Sequence, residues 1–428
     1  ADRLTTAGLE VETIEKVGDS WGNYCVVGQI KEIRKHPNAD TLHLVDVEFG
    51  ADIPITIVTG APNIREIEGN IPKPAPKVAL ALAGAMLVDA HHEDRPLKKL
   101  KPAKIRGIES EGMLCSELEL GLSEDHEGIL ILPKEAPVGT LLHEYLGDLI
   151  LHFDIKGGFS HLLSILGIGR EIAALTEENL DRSVIPDVSK LKVLEQPPFV
   201  DLEINDPDIC SRYSAMLIRN VKITSSPFWM QQRLLRLGMR PINNIVDITN
   251  YVMMELGQPL HAFDYDMLIR RANGGKPKII IRRAKEGEHL ITLDNVERKL
   301  DSDMLMITDQ VGHIGIAGIM GGGDSEVTSK TTNILLEAAN FEFLNNRRTA
   351  QILKLRTEAS ERFGKQVDPE GTLRAALRAA QLMVEHGSGT LEETVGDLYP
   401  SPKEAVTLDF NSKYVERLLG VNITIEQI

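Results

Sequence analysis

Three cysteines in 428 residues, Cys25, Cys115 and Cys210, are too few, too scattered and odd in number for a disulfide framework, and none has metal-ligand spacing. Reduced thiols in a reducing compartment are expected, and the chain is read as cytosolic. No apolar run approaches the roughly 18 residues a membrane helix needs, so a helical span is not expected. Aromatic residues make up only 4% of the chain, and positive charge is outnumbered, 47 Lys and Arg against 63 Asp and Glu, for a net −16. Such a field argues against indiscriminate nucleic-acid binding over the whole surface while leaving room for local basic patches. The opening Ala1-Asp2-Arg3-Leu4 shows neither a secretion signal nor an initiator Met, as expected of a trimmed or partial chain.

What is present is enough apolar material, 42% of residues, for two to four cored domains. From Tyr24 to about Leu132 the pattern is β-rich. Runs at 24–30, 42–47 and 53–58 are separated by turn-forming residues, a spacing that points to a small barrel, and His36-Pro37-Asn38-Ala39-Asp40 and Gly60-Ala61-Pro62-Asn63 are turn clusters at strand ends. Apolar residues at helical spacing predict a helix over 162–175, followed by a polar linker over 178–187. Ser226-Pro227 reads as the start of a second helix running to Leu237. Strands are expected at 278–283, 304–308 and 313–319, a helix at 373–384, and a further strand and helix from Val406 onward. The fold class is therefore multidomain α+β, a β-barrel followed by a mixed α/β module.

Two runs concentrate positive charge. Arg95, Lys98, Lys99, Lys101, Lys104 and Arg106 place six cations in twelve residues, and Arg347, Arg348, Lys354, Arg356, Arg362 and Lys365 form the other group. A solvated face is the ordinary reading of either. The richest stretch for chemistry is Asn243 to Tyr251 followed by Gln258-Pro259-Leu260-His261-Ala262-Phe263-Asp264. Its amides, hydroxyl and imidazole sit in an otherwise apolar context and need partners or a polar ligand. Taken alone, His261 reads first as a hydrogen-bonded core or turn residue, Thr249 and Asn250 as strand-end caps, and Glu337 as a salt-bridged carboxylate. The glycines at 321–323 lack the ending of a phosphate loop, and the adjacent His91-His92 diverge on a strand.

These blocks, together with Leu4 to Glu12, Ile316 to Gly322, Leu335 to Ala339 and Leu355 to Ser360, resemble the β subunit of bacterial phenylalanyl-tRNA synthetase over nearly the whole chain, without the beginning and C-terminal part of that family. The resemblance implies an N-terminal segment, 1–23, packing with a connector, 133–190. An oligonucleotide-binding barrel that contacts tRNA covers 24–132, an editing module 191–400, and the start of a small winged-helix-like domain 401–428. In the editing module, Glu337 would accept the hydroxyl proton of a misattached tyrosine. Thr249, Asn250 and His261 would surround the ester and hydrolytic water, and Ala317 and Gly318 would let backbone approach the aminoacyl group. A second site that recognises one additional hydroxyl answers a physical need, because an apolar pocket rejects that hydroxyl poorly. Which group activates the water stays open, a positioned water being an alternative to His261 as base.

The same resemblance implies tRNA contact through Arg95, Lys98, Lys99, Lys101, Lys104 and Arg106, and a partner α subunit in an α2β2 assembly. ATP and Mg2+ would act in the assembled ligase, with none assignable within this chain. The alternative is a noncatalytic RNA-binding scaffold. Two segments depart from the family pattern: Asp154 to His161, where an arginine contact is missing, and Arg362 to Pro369.

Overall fold

The computed structural model describes residues 1–428. Alternation of apolar and polar residues, broken by Pro, Asn and Gly, produces the barrel strands β1 (Cys25–Lys35), β2 (His43–Glu48), β3 (Ile55–Thr59), β4 (Lys77–Leu82) and β5 (Gly112–Leu114). They pair in the order β5-β4-β1-β2-β3, and Ile131–Leu132 also joins β4. β5 comes back against β3, so the sheet nearly closes on itself. Ile30, Val45, Ile57, Val78 and Leu80 fill the interior.

Asn63 of the Gly60–Asn63 cluster donates to Ile129 O at 2.9 Å and accepts from Ile129 N at 3.2 Å. It therefore clamps the returning chain. Residues 103–114 form the hairpin Ala103–Ile105 and Ile108–Ser110 and then β5. The hairpin forms because Arg106 and Gly107 both take positive φ and turn the chain back on itself.

Strand Glu10–Val17 pairs antiparallel with Asp148–Asp154, and Leu4 and Leu9 are buried with Leu162 beneath α1 (Ile165–Thr176). The central module then stacks two sheets. One contains β6 (Cys210–Arg219), β7 (Leu260–Asp264) and β8 (Ile334–Phe341), with β8 between the other two and Thr394–Leu398 on the far side of β6. The other runs Asp201–Ile204, Lys278–Arg283, Leu305–Thr308, His313–Ile316, Met320–Gly321. Tyr213, Ala215, Phe263, Leu335 and Ala339 face Ile279, Ile281, Leu305 and Ile307 between the sheets.

The opposite face of the first sheet, carrying Met216, Ala262, Leu336 and Ala338, is covered by α2 (Asn244–Leu256) and α3 (Thr372–Gly387). Because a strand alternates its side chains, each of these strands serves both cores. That alternation decides which polar residues meet.

Two local expectations are corrected. The helix after Ser226 spans Phe228–Arg236 with Pro227 at its cap position, and Ser226 Oγ donates to Asp247 Oδ2 rather than capping it. The stretch from Val406 forms no strand, since it has no neighbouring strand to pair with, and only the helix Ser412–Leu419 follows.

Candidate functional site

The Asn243–Tyr251 run is helical. Asn243 Oδ1 accepts from Ile245 N at 3.1 Å and Val246 N at 3.0 Å, an N-cap, and Asp247 accepts from Ile242 N at 2.7 Å. Asn244 holds Thr224 N and Lys222 O. Much of the polar chemistry of this segment is thus committed to building α2. Thr249 Oγ1 donates to Val246 O at 2.7 Å, back into its own helix. Asn250 rides on the same helix, which packs on the Ala262 and Leu336 face.

His261 and Glu337 are on the other face. They are direct cross-strand partners on β7 and β8, in register with Phe263 and Leu335 two residues along. Both line a hollow of about 70 Å³ between the two sheets, with Gly318, Ile319, Met320, Gly321, Ala359 and Phe363 also in its wall. The structure therefore brings together Glu337, His261 and Gly318 from the expected set, and leaves Thr249 and Asn250 outside the hollow. Ala317 stands just behind it, 4% exposed, its carbonyl accepting from Asn346 Nδ2 at 3.2 Å.

Two glycines permit the approach. Gly318 has φ +69°, and a Cβ there would lie 2.3 Å from Asn346 Nδ2 and 2.8 Å from Phe363 Cδ2. A Cβ on Gly321 would lie 2.7 Å from the His261 ring.

Glu337 is 6% exposed and has no salt bridge; its Oε2 accepts from the Tyr213 hydroxyl at 2.7 Å. Burial pushes its pKa up from the ordinary 4.5 to about 7, against the lowering effect of that hydrogen bond. Tyr213, fully buried beside the carboxylate, is held well above its usual range and remains a donor. His261 is pushed down from 6.5 to about 4 by burial, so it is neutral at physiological pH. Its ring meets Phe263 edge-on at 4.4 Å, and its buried Nε2 has no hydrogen-bond partner. The hollow therefore offers a neutral imidazole, an ionisable carboxyl poised near neutrality, and apolar walls. Tyr213 was absent from the sequence expectation. Only the strand pairing places it beside Glu337, 124 residues away.

In the barrel, all six expected cations are exposed, Arg95, Lys98 and Lys99 on one hairpin, Lys104 and Arg106 on the hairpin Ala103–Ser110, and Lys101 between the two. Arg95 pairs with Glu124, and Lys98 with Asp89 at 2.9 Å. Lys99, Lys101, Lys104 and Arg106 reach no carboxylate. The His36–Asp40 turn supports the Ala103–Ser110 hairpin: Asn38 Nδ2 donates to Arg106 O at 3.1 Å, and His36 Nε2 lies 3.2 Å from Ile105 O. The second basic group is largely spent internally, on partners such as Gly364 O, Asp303, Glu361 and Glu358. No three His, Cys, Asp or Glu side chains converge as a metal cluster.

Comparison with known proteins gives these two regions separate counterparts. A family model of a tRNA binding domain matches residues 25–83 and 91–141, and a model of the B3/4 domain matches 209–388. The phenylalanine–tRNA ligase beta subunit of Dehalococcoides mccartyi is 46% identical over 421 residues, 98% of this chain and 50% of that protein. The chain is a homologue of the bacterial phenylalanine–tRNA ligase beta subunits. That of Syntrophus aciditrophicus is 44% identical over 427 residues, 99% of this chain against 50% of its own length. The chain thus spans about half the length of the curated relatives it matches. Among solved structures, an N-terminal fragment of the phenylalanyl-tRNA synthetase beta subunit from Pyrococcus horikoshii aligns with 65% of this chain and 74% of its own, at 13% identity and a TM-score of 0.32, too low to establish a shared arrangement.

Proposed function

We propose that this chain is the tRNA-contacting and proofreading portion of a phenylalanine–tRNA ligase β subunit, and that the hollow between its sheets recognises tyrosine esterified to tRNA. The carrying observation is the Tyr213–Glu337 hydrogen bond at 2.7 Å. It is an internal phenol-to-carboxyl contact of the kind a tyrosyl ligand would make with Oε1, which accepts no bond from the protein. Phenylalanine offers no donor to that oxygen, and a buried group left unpaired is costly.

His261, neutral with a free Nε2, is suited to holding the hydrolytic water by accepting its proton in a hydrogen bond. With a pKa of about 4 it is too weak to carry that proton away alone. Thr249 and Asn250, on the far side of the sheet, gain no role at the ester from this geometry. At about 70 Å³ the hollow is smaller than the roughly 150 Å³ cavity that accepts a benzene ring, so entry requires a wall side chain to move. Met320, unbranched and half-buried, is the compliant one.

Lys99, Lys101, Lys104 and Arg106 would meet tRNA phosphates from the barrel. Amino-acid activation, with its ATP and Mg2+, is assigned to a partner α subunit in an α2β2 assembly in the cytoplasm. The narrowness of the hollow favours a second reading, a noncatalytic RNA-binding scaffold. Hydrolysis of Tyr-tRNA by the reconstituted complex, with Phe-tRNA as control, separates the two: equal stability of both esters eliminates proofreading.

A further inference from the structure

A second cavity, about 410 Å³, opens between α1, the C-terminal end of α2 and the first turn of α3. Arg170 of α1 and Arg374 of α3 both line it, exposed and without a carboxylate partner, and Lys403 adds a third cation. Arg362 forms part of the wall but is committed, Nε to Leu163 O at 3.1 Å and Nη1 to Glu358 Oε2 at 2.7 Å. Asp368 is the lone acidic residue, and its Oδ1 accepts from Glu370 N at 3.0 Å. On a chain of net −16, such a hollow is built against the prevailing charge.

The buried wall supplies an independent observation. Gln258 is 1% exposed, and its Nε2 donates to Pro259 O and Ala339 O, both at 2.9 Å, which fixes which end of the amide is oxygen. Its Oε1 has no donor.

We infer that this cavity is a ribose-phosphate site, with the arginines taking the phosphate and Gln258 Oε1 accepting from a sugar hydroxyl. An arginine pair suits phosphate oxygens, whereas a phosphate alone offers a buried acceptor little to bond with; a hydroxyl beside the phosphate satisfies both. The cavity adjoins the hollow of Glu337 and His261 through single peptide links: Gln258 faces one and Pro259 the other, Arg362 one and Phe363 the other. The ligand fitting that arrangement is the terminal nucleotide of an RNA whose acyl group enters the neighbouring hollow. This last identification rests on the proofreading reading; the ribose-phosphate chemistry does not.

The test measures binding of inorganic phosphate, adenosine, AMP and a short uncharged RNA ending in cytidine-cytidine-adenosine to the full 428-residue chain at low salt. The chain is compared with the double variant Arg170→Ala/Arg374→Ala and with Gln258→Leu. AMP and the RNA should each bind about tenfold or more weakly to the double variant, whose exposed positions leave the fold intact. Gln258→Leu should weaken AMP while leaving phosphate unchanged. AMP affinity insensitive to the arginines overturns the site, and equal loss of AMP and phosphate in folded Gln258→Leu removes the hydroxyl contact. AMP binding without RNA binding reassigns the cavity to a free nucleotide and overturns the strand-end identification. Retained RNA binding with no Tyr-tRNA hydrolysis removes the proofreading reading alone.

Discussion

The barrel and the two-sheet module handle polar chemistry in opposite ways. On the barrel, cations stand on exposed hairpins, where water screens them and each contributes little to folding. In the module, a carboxyl and an imidazole are enclosed between sheets, and enclosure alone moves them in opposite directions, Glu337 up to about 7 and His261 down to about 4. A charge left in solvent can act at a distance at little cost, whereas a group enclosed between sheets sits where an unmade hydrogen bond is expensive.

The sharpest way to break the module is at its tightest backbone approach. Gly318→Ala should lose about 2–4 kcal/mol, combining a positive-φ penalty with overpacking against Asn346 and Phe363, read as a lower denaturant midpoint at unchanged slope. The same methyl on the partly exposed hairpin glycine Gly312 meets nothing within 4 Å and should change stability by only a few tenths of a kcal/mol.

Glu337→Gln should reduce discrimination between Tyr-tRNA and Phe-tRNA hydrolysis by about tenfold to 10²-fold. It should also stabilise the fold at pH 8. Glu337 has its folded pKa raised, so between 4.5 and about 7 the unfolded chain gives up the proton first, and native stability falls as pH rises through that window, by roughly 3 kcal/mol in all. A flat pH-stability difference between the variant and the unaltered chain would remove the buried-acid assignment. His261 acts in the other direction: its depressed pKa favours the native state above 6.5, an advantage that disappears as pH falls toward about 4. His261→Gln should flatten the acid limb of the stability profile.

The barrel gives the smallest and most additive effects. Neutralising Lys99, Lys101, Lys104 and Arg106 together should flatten the salt dependence of tRNA affinity by about 0.7 to 0.9 log units per log unit of salt for every phosphate that these cations no longer neutralise. Lys98→Ala, already paired with Asp89, should move it least. An unchanged slope in the fourfold variant takes this segment out of the interface.

Much of the strand pattern was legible because periodicity is local. The expected strand at 278–283 is observed as Lys278–Arg283, and the helix expected at 373–384 extends to Thr372–Gly387. The helix α2 was not foreseen, although Ile245, Ile248 and Val252 repeat at helical spacing. Asn243 and Asp247 drew attention as chemistry when they were helix-end hydrogen-bonding groups. The strand expected from Val406 failed for the converse reason, since a β pattern without a partner strand satisfies none of its backbone.

From its own order of residues the chain determined a barrel, a mixed α/β module and a run of exposed basic residues, and it singled out His261, Gly318 and Glu337, which the fold gathers round one hollow. Tertiary structure alone decided that Thr249 and Asn250 lie across the sheet from that pair, that Tyr213 holds the carboxyl, and that Gln258 turns an unpaired oxygen toward a second, arginine-lined cavity. The division has one physical cause. Periodicity and turn chemistry act over a few residues, whereas the face a side chain shows, and the water it loses there, follow from strand register set by partners up to 124 residues away.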